Sequence, residues 1–144
     1  IFSNNNSASR GSFFSESLKI TINTVKDRMM YDLKEFEVET GRLVSINFIN
    51  KDFAPHNLLI VKPGKAEEVS NLAIALTNDG PKKDWRPDSS LILWGSKMIN
   101  QNEEEIITFN APVPGSYPYI CTFPGHSQMM RGIMKVIPIK EDKK

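Results

Sequence analysis

The chain has 144 residues, with 18 basic against 17 acidic side chains and a formal net charge of +1, so no broad basic face advertises nucleic acid or an anionic membrane surface. That length suits one domain with its own hydrophobic core, and a single cysteine rules out an internal disulfide. No apolar run reaches the roughly 18 residues that a membrane-crossing helix needs.

The chain opens at Ile1 with neither a methionine nor a basic-then-apolar leader, which reads as a processed or trimmed polypeptide. Ser3 to Ser12 are rich in Ser and Asn and cannot bury enough surface to order themselves. Residues 1–16 therefore read as a flexible arm or linker, a possible tether, followed by one domain over 17–139 and a charged tail over 140–144. From Leu18 the pattern is that of short strands. Leu18, Ile20 and Ile22 alternate with polar residues, Phe36 and Val38 repeat the alternation, and Thr40-Gly41 marks a turn. Leu43–Ile49 has the β-branched and aromatic content of a central strand. The apolar run Leu58–Val61 ends at Pro63-Gly64.

One stretch departs from the strand period. Val69, Leu72, Ala73 and Leu76 recur at helical spacing, which predicts a short helix between Ala66 and Leu76 laid over one side of a sheet. The Pro/Asp/Ser-rich run from Asp79 to Ser90 reads as loop. Helix and loop together, Trp85 included, read as a variable insertion. Strand patterns resume at Leu91–Trp94, Glu105–Phe109, Tyr117–Cys121 and Ile133–Ile137. Many short strands separated by turn residues predict an all-β, antiparallel two-sheet sandwich. Tyr117, Tyr119 and Cys121 stand two apart and so share one strand face, expected to point inward.

The stretch from Cys121 to Met130 concentrates the chemistry. It holds the chain's one cysteine, His126, and the adjacent thioethers Met129 and Met130. The other histidine, His56, sits upstream in Phe53-Ala54-Pro55-His56-Asn57. A lone cysteine can be a small buried hydrophobe, and a lone histidine a satisfied core residue. Two imidazoles, a thiolate and a thioether together suit a soft, redox-active ion, as in trigonal His2Cys copper sites with a weak axial Met. By chemistry alone, Met129 and Met130 compete for that axial role. Met29, Met30, Met98 and Met134 read as fillers of core gaps.

Gly115-x-Tyr117-x-Tyr119-x-Cys121-Thr122-Phe123-Pro124-Gly125-His126-x-x-x-Met130 resembles the C-terminal signature of cupredoxins of the azurin and auracyanin type. Pro55-His56-Asn57 before an apolar run is similar to their other ligand segment. The resemblance implies a Greek-key β-sandwich holding one type 1 copper, with His56, Cys121, His126 and Met130 as ligands. It further implies sulfur hydrogen bonds from the Asn57 and Phe123 amides, an Asn57 side chain that ties the ligand loops together, and Thr122 as a further neighbour of the ligands. Azurins carry a disulfide that this chain cannot form, so the auracyanin branch is the nearer likeness. Pro55 stands where azurins place a glycine.

Four protein ligands would leave the metal no open position of the kind catalysis requires, so an electron carrier is expected rather than an enzyme. Phe53, Ala54, Pro55, Pro124, Gly125 and Met129 would ring His126 with an apolar patch for redox partners of cytochrome, dehydrogenase or oxidase type. The resemblance implies a periplasmic or other extracytoplasmic location. Alternatives are a domain of a larger redox enzyme, a Cu(I) storage or delivery protein, and a zinc site.

Overall fold

A computed structural model describes residues 16–140. The arm expected over 1–16 and the tail over 140–144 lie outside the described residues, apart from Glu16 and Lys140. Among the described residues eight strands form: β1 (Leu18–Asn23), β2 (Glu35–Glu39), β3 (Leu43–Ile49), β4 (Leu59–Val61), β5 (Ile92–Gly95), β6 (Glu104–Asn110), β7 (Gly115–Ile120) and β8 (Arg131–Ile137). They make a three-stranded sheet in the order β1-β3-β6 and a five-stranded sheet in the order β2-β8-β7-β4-β5. Among the described residues one α-helix, α1 (Ala66–Ile74), interrupts the strands. This is the two-sheet sandwich that the strand spacing predicts.

The core follows from period-two alternation. In β3, Val44, Ile46 and Phe48 are fully buried while their neighbours are half-exposed. Each such side chain stabilises the fold by about 1.5–3 kcal/mol on burial. They meet Tyr117, Tyr119, Cys121, Met134 and Val136 from the facing sheet in one continuous cluster. Tyr117, Tyr119 and Cys121 thus share the inward face, and both phenols find backbone acceptors, Val113 and Leu33. Strand β4 is buried on both sides. Leu58 and Ile60 enter the inter-sheet core, whereas Leu59 and Val61 join Ile92, Ile120, Ala66 and Val69 beneath α1.

Three expectations need correction. The sheets are mixed rather than antiparallel: β1 pairs with β3, and β2 with β8, in parallel. The chain leaves the first sheet after β1, forms β2 in the other sheet, and returns as β3 running the same way as β1. Alternation of apolar residues reports which face is buried and is blind to strand direction. The helix stops at Ile74, short of Leu76, and 3-10 turns at Thr77–Asp79 and Pro81–Lys83 follow. Its buried stripe is Ala66, Val69, Ser70 and Ala73, while Leu72 is 38% exposed. Nor do all four methionines fill gaps: Met134 is buried, but Met29 is exposed.

Strands β7 and β8 approach closely where Gly132 faces Tyr119. A Cβ at Gly132 would lie 2.2 Å from the Tyr119 ring, which is fully buried. Gly132→Ala should therefore lower the unfolding free energy by about 1–3 kcal/mol, as overpacking does. A urea titration checks this; an unshifted midpoint would mean that Tyr119 is free to move.

Candidate metal centre

Two loops at one end of the sandwich build the site. The first leads into β4. Its backbone is held by Ile99, which exchanges two hydrogen bonds with His56 (3.1 and 2.9 Å). The second joins β7 to β8. Phe123-Pro124-Gly125-His126 makes a turn with the His126 amide bonded to the Phe123 carbonyl at 2.9 Å and Gly125 at φ 87. Proline then glycine at the two central positions is the signature of a type II turn, whose third residue needs positive φ. The Met129 and Met130 amides then bond back to the His126 carbonyl, and the Met130 carbonyl accepts from the Cys121 amide at 3.1 Å. The histidine is thereby folded back over the cysteine.

The donors converge. The Cys121 Sγ lies 3.7 Å from Nδ1 of His56 and 3.7 Å from Nδ1 of His126. All three donor atoms fall within 4.8 Å of one another, and all three residues are buried. An ion bound in their plane at ordinary first-row metal–nitrogen and metal–sulfur lengths would set the N···S separation at about 3.7 Å. Both N···S separations therefore match those around one shared metal ion. Met130, fully buried, belongs to the same core cluster as Cys121. Met129 is 66% exposed.

The surroundings set the electrostatics. Burial pushes the Cys121 thiol up to about 11, against the opposing pull of hydrogen bonds from the Asn57 and Phe123 amides. Those amides are the two expected to bond the sulfur. Desolvation, followed by the proximity of His56, lowers the pKa of His126, so its ring is neutral and free to donate a lone pair near neutral pH. His56 Nε2 lies 2.7 Å from Asp52 Oδ2. Burial alone would raise the Asp52 carboxyl, but hydrogen bonds from His56 and from the Asp27 and Phe53 amides hold it below the usual carboxylate range.

The loops are tied to each other. The Asn57 side chain accepts from the Thr122 amide at 2.8 Å and donates to the Thr122 hydroxyl at 2.9 Å. The same pair reaches a third segment: Asn57 Nδ2 donates to the Asp84 carbonyl and the Thr122 hydroxyl to that of Trp85. Asp84 and Trp85 both have positive φ, 55 and 53, conformations rare for residues with side chains. The run from Asp79 to Ser90, read from sequence as a variable insertion, thus completes the support of the ligand loops. Helix α1 adds a lesser clamp, with Glu67 accepting from Gln128 and Arg131.

Of the residues expected to ring His126, Phe53 is 81% exposed. Pro124 and Gly125 are exposed, and Ala54 and Pro55 half-buried. His126 itself keeps a 9% exposed edge. It lines a surface groove with Met29, Met30, Ala54 and Met129. Sequence reasoning missed Asp52, Thr24 and Asn50 beneath His56, because nothing in their spacing separates them from solvated polar residues. It also missed the pairing of Asp84 and Trp85 with the ligand loops.

Comparison with known proteins agrees with this geometry. The family model of copper binding proteins of the plastocyanin/azurin family matches residues 18–137. Auracyanin-A of Chloroflexus aurantiacus is 39% identical over 119 residues, covering 81% of this chain and 73% of the relative. Auracyanin-B of the same organism is 28% identical over 122 residues, and the chain spans 52% of its length. A dithionite-reduced auracyanin from Roseiflexus castenholzii superposes with a TM-score of 0.77 at 39% identity, covering 86% of this chain and 100% of that one. The chain belongs to the plastocyanin/azurin family of copper-binding proteins and is a cupredoxin of the azurin/auracyanin type.

Proposed function

We infer that this chain is a blue copper electron-transfer protein whose metal is held by His56, Cys121, His126 and Met130. The observation that carries the reading is the convergence of one buried sulfur and two Nδ1 atoms, each nitrogen 3.7 Å from the sulfur, close enough to share one ion. When bound, copper supplies a one-electron Cu(II)/Cu(I) couple. The protein supplies the rest. Cys121 offers a thiolate in a dry pocket, with two backbone amides stabilising the charge on sulfur. His56 and His126 would supply the two imidazole donors, and Met130 the weaker thioether donor. Hydrogen bonds from neighbouring segments hold these donors, so either oxidation state meets the same cage. The domain we assign to this work spans 17–139.

His126 is the proposed route for the electron, since its ring alone among the three donors has an exposed edge. The apolar rim of Phe53, Ala54, Pro55, Pro124, Gly125 and Met129 suits brief contacts with redox proteins of cytochrome, dehydrogenase or oxidase type. By its likeness to azurins and auracyanins the chain is assigned to the periplasm or another extracytoplasmic compartment. Among the described residues no helix is long and apolar enough to cross a membrane.

Adding Cu(II) to the metal-free protein should give an intense blue colour that a mild reductant bleaches reversibly, and Cys121→Ala should abolish it. A colourless, redox-silent complex would point to storage, delivery or zinc instead. Binding must also displace the thiol proton, held up to about 11. Apparent Cu(II) affinity, measured against a competing chelator, should therefore rise about tenfold per pH unit between about pH 7 and 9. A flat profile would mean that the sulfur is not a ligand. For the rim, Met129→Glu should slow electron exchange with a protein partner at unchanged colour; an unchanged rate would remove Met129 from the contact surface.

A further inference from the structure

We propose that Asp52 is a positioning residue of the metal centre: its carboxylate fixes the ring and tautomer of His56 and biases the site toward the more highly charged Cu(II). The inference rests on the copper reading above and adds a group that is not a metal ligand.

The geometry begins with the 2.7 Å contact between His56 Nε2 and Asp52 Oδ2, within the range of charge-assisted hydrogen bonds. An ionised carboxylate can only accept, so the imidazole proton must sit on Nε2. In the neutral ring, the form that can ligate, Nδ1 then carries the lone pair, and Nδ1 is the atom 3.7 Å from the Cys121 sulfur. A hydrogen-bond acceptor on the far nitrogen fixes the tautomer and raises the basicity of a ligating histidine. His56 is fully buried, while the Asp52 side chain, 9% exposed, borders the surface groove.

Asp52 is held as firmly as the ring it holds. Its Oδ1 accepts from the Asp27 amide at 2.9 Å. Its own amide faces two acceptors, Asn50 Oδ1 at 2.9 Å and Thr24 Oγ1 at 3.1 Å. Thr24 donates to Asn50 Oδ1 in turn, and Asn50 Nδ2 donates to the Ala54 and Ile99 carbonyls. Ile99 is the residue whose backbone brackets His56. A closed polar network thus surrounds one ligand. Among the described residues no carboxylate bonds the His126 ring. One histidine is anchored by an anion, while the other is left for exchange at the groove.

An anion across the imidazole attracts the dication-bearing state more than the monocation-bearing one. Removing that charge should weaken Cu(II) binding relative to Cu(I). Asp52→Asn preserves shape and removes the charge. Partners of ligating histidines are typically worth tenfold or more in metal affinity. The expected loss is about tenfold in the Cu(II)/Cu(I) affinity ratio, a rise of about 59 mV in midpoint potential for a one-electron couple. The blue colour should persist, and Asp52→Glu should recover part of the shift.

Two measurements test this. Nitrogen-15 NMR of the metal-free wild-type protein should show His56 protonated on Nε2 and bare on Nδ1; the opposite tautomer would overturn the proposal, and this readout needs no variant to fold. Voltammetry of copper-loaded wild type and Asp52→Asn should show the upward shift. An equal or lower potential with the colour retained would overturn the electrostatic role. Failure of the wild type to turn blue while showing the expected tautomer would count against the copper reading, leaving the positioning of His56 by Asp52 supported.

Discussion

The reciprocal hydrogen bonds between Asn57 and Thr122, 65 residues apart in sequence, set the geometry on which the site depends. Asn57 follows one ligand and Thr122 follows another, so fixing these two residues fixes the separation of His56 and Cys121. Both are buried, and a buried amide or hydroxyl left unpaired costs about 1–3 kcal/mol. Each therefore needs the other, along with the Asp84 and Trp85 carbonyls that take their remaining donors. Two strand ends and one irregular segment are locked together by polar groups that have no alternative partner in the core. The strain of two consecutive left-handed residues, Asp84 and Trp85, sits where those carbonyls have to be delivered.

From that constraint the rest of the centre follows. With the loops in register, the Asn57 and Phe123 amides reach the Cys121 sulfur, and the type II turn at Pro124-Gly125 brings His126 over it. The inter-sheet core closes the other side, with Met130 among the fully buried residues. Each donor is oriented by a hydrogen bond or turn that does not involve the metal. Such a cage has little freedom to relax when the charge at its centre changes by one. Small rearrangement is the structural requirement for fast electron exchange.

Much of this was legible in the chain, and the exceptions share a cause. All eight strands announce themselves by alternation or by β-branched runs, because burial of one face is written locally, in every second residue. The candidate donors His56, Cys121 and His126 were legible because soft donors are scarce: one cysteine and two histidines leave few combinations. Strand direction was not legible, since β1 pairs with β3 in parallel only because β2 lies in the other sheet. Leu72 fell outside the buried stripe of α1 because the sheet meets the helix along Ala66, Val69, Ser70 and Ala73. Asp52, Asn50 and Thr24 carried no signal at all, for a polar residue acquires a role beneath a ligand only through distant contacts. The same holds for Asp84 and Trp85, whose contributions are backbone carbonyls and so independent of side-chain identity.

The buried thiol sets a threshold that any bound ion must overcome. In the metal-free protein, desolvation holds Cys121 protonated, with its pKa moved from the ordinary 9.0 to about 11 despite two amides that favour the anion. A cation entering the site must therefore repay the cost of forming a thiolate in a low-dielectric interior. Hard ions bind thiolate too weakly to do so, and His126, already kept neutral by burial, offers them no oxygen. Asp52, the nearest buried carboxylate, is engaged by His56 on one oxygen and by the Asp27 amide on the other. Burial thus weakens the hold on every cation by the same cost of proton loss, and the preference for a soft ion comes from the sulfur and nitrogen donors themselves.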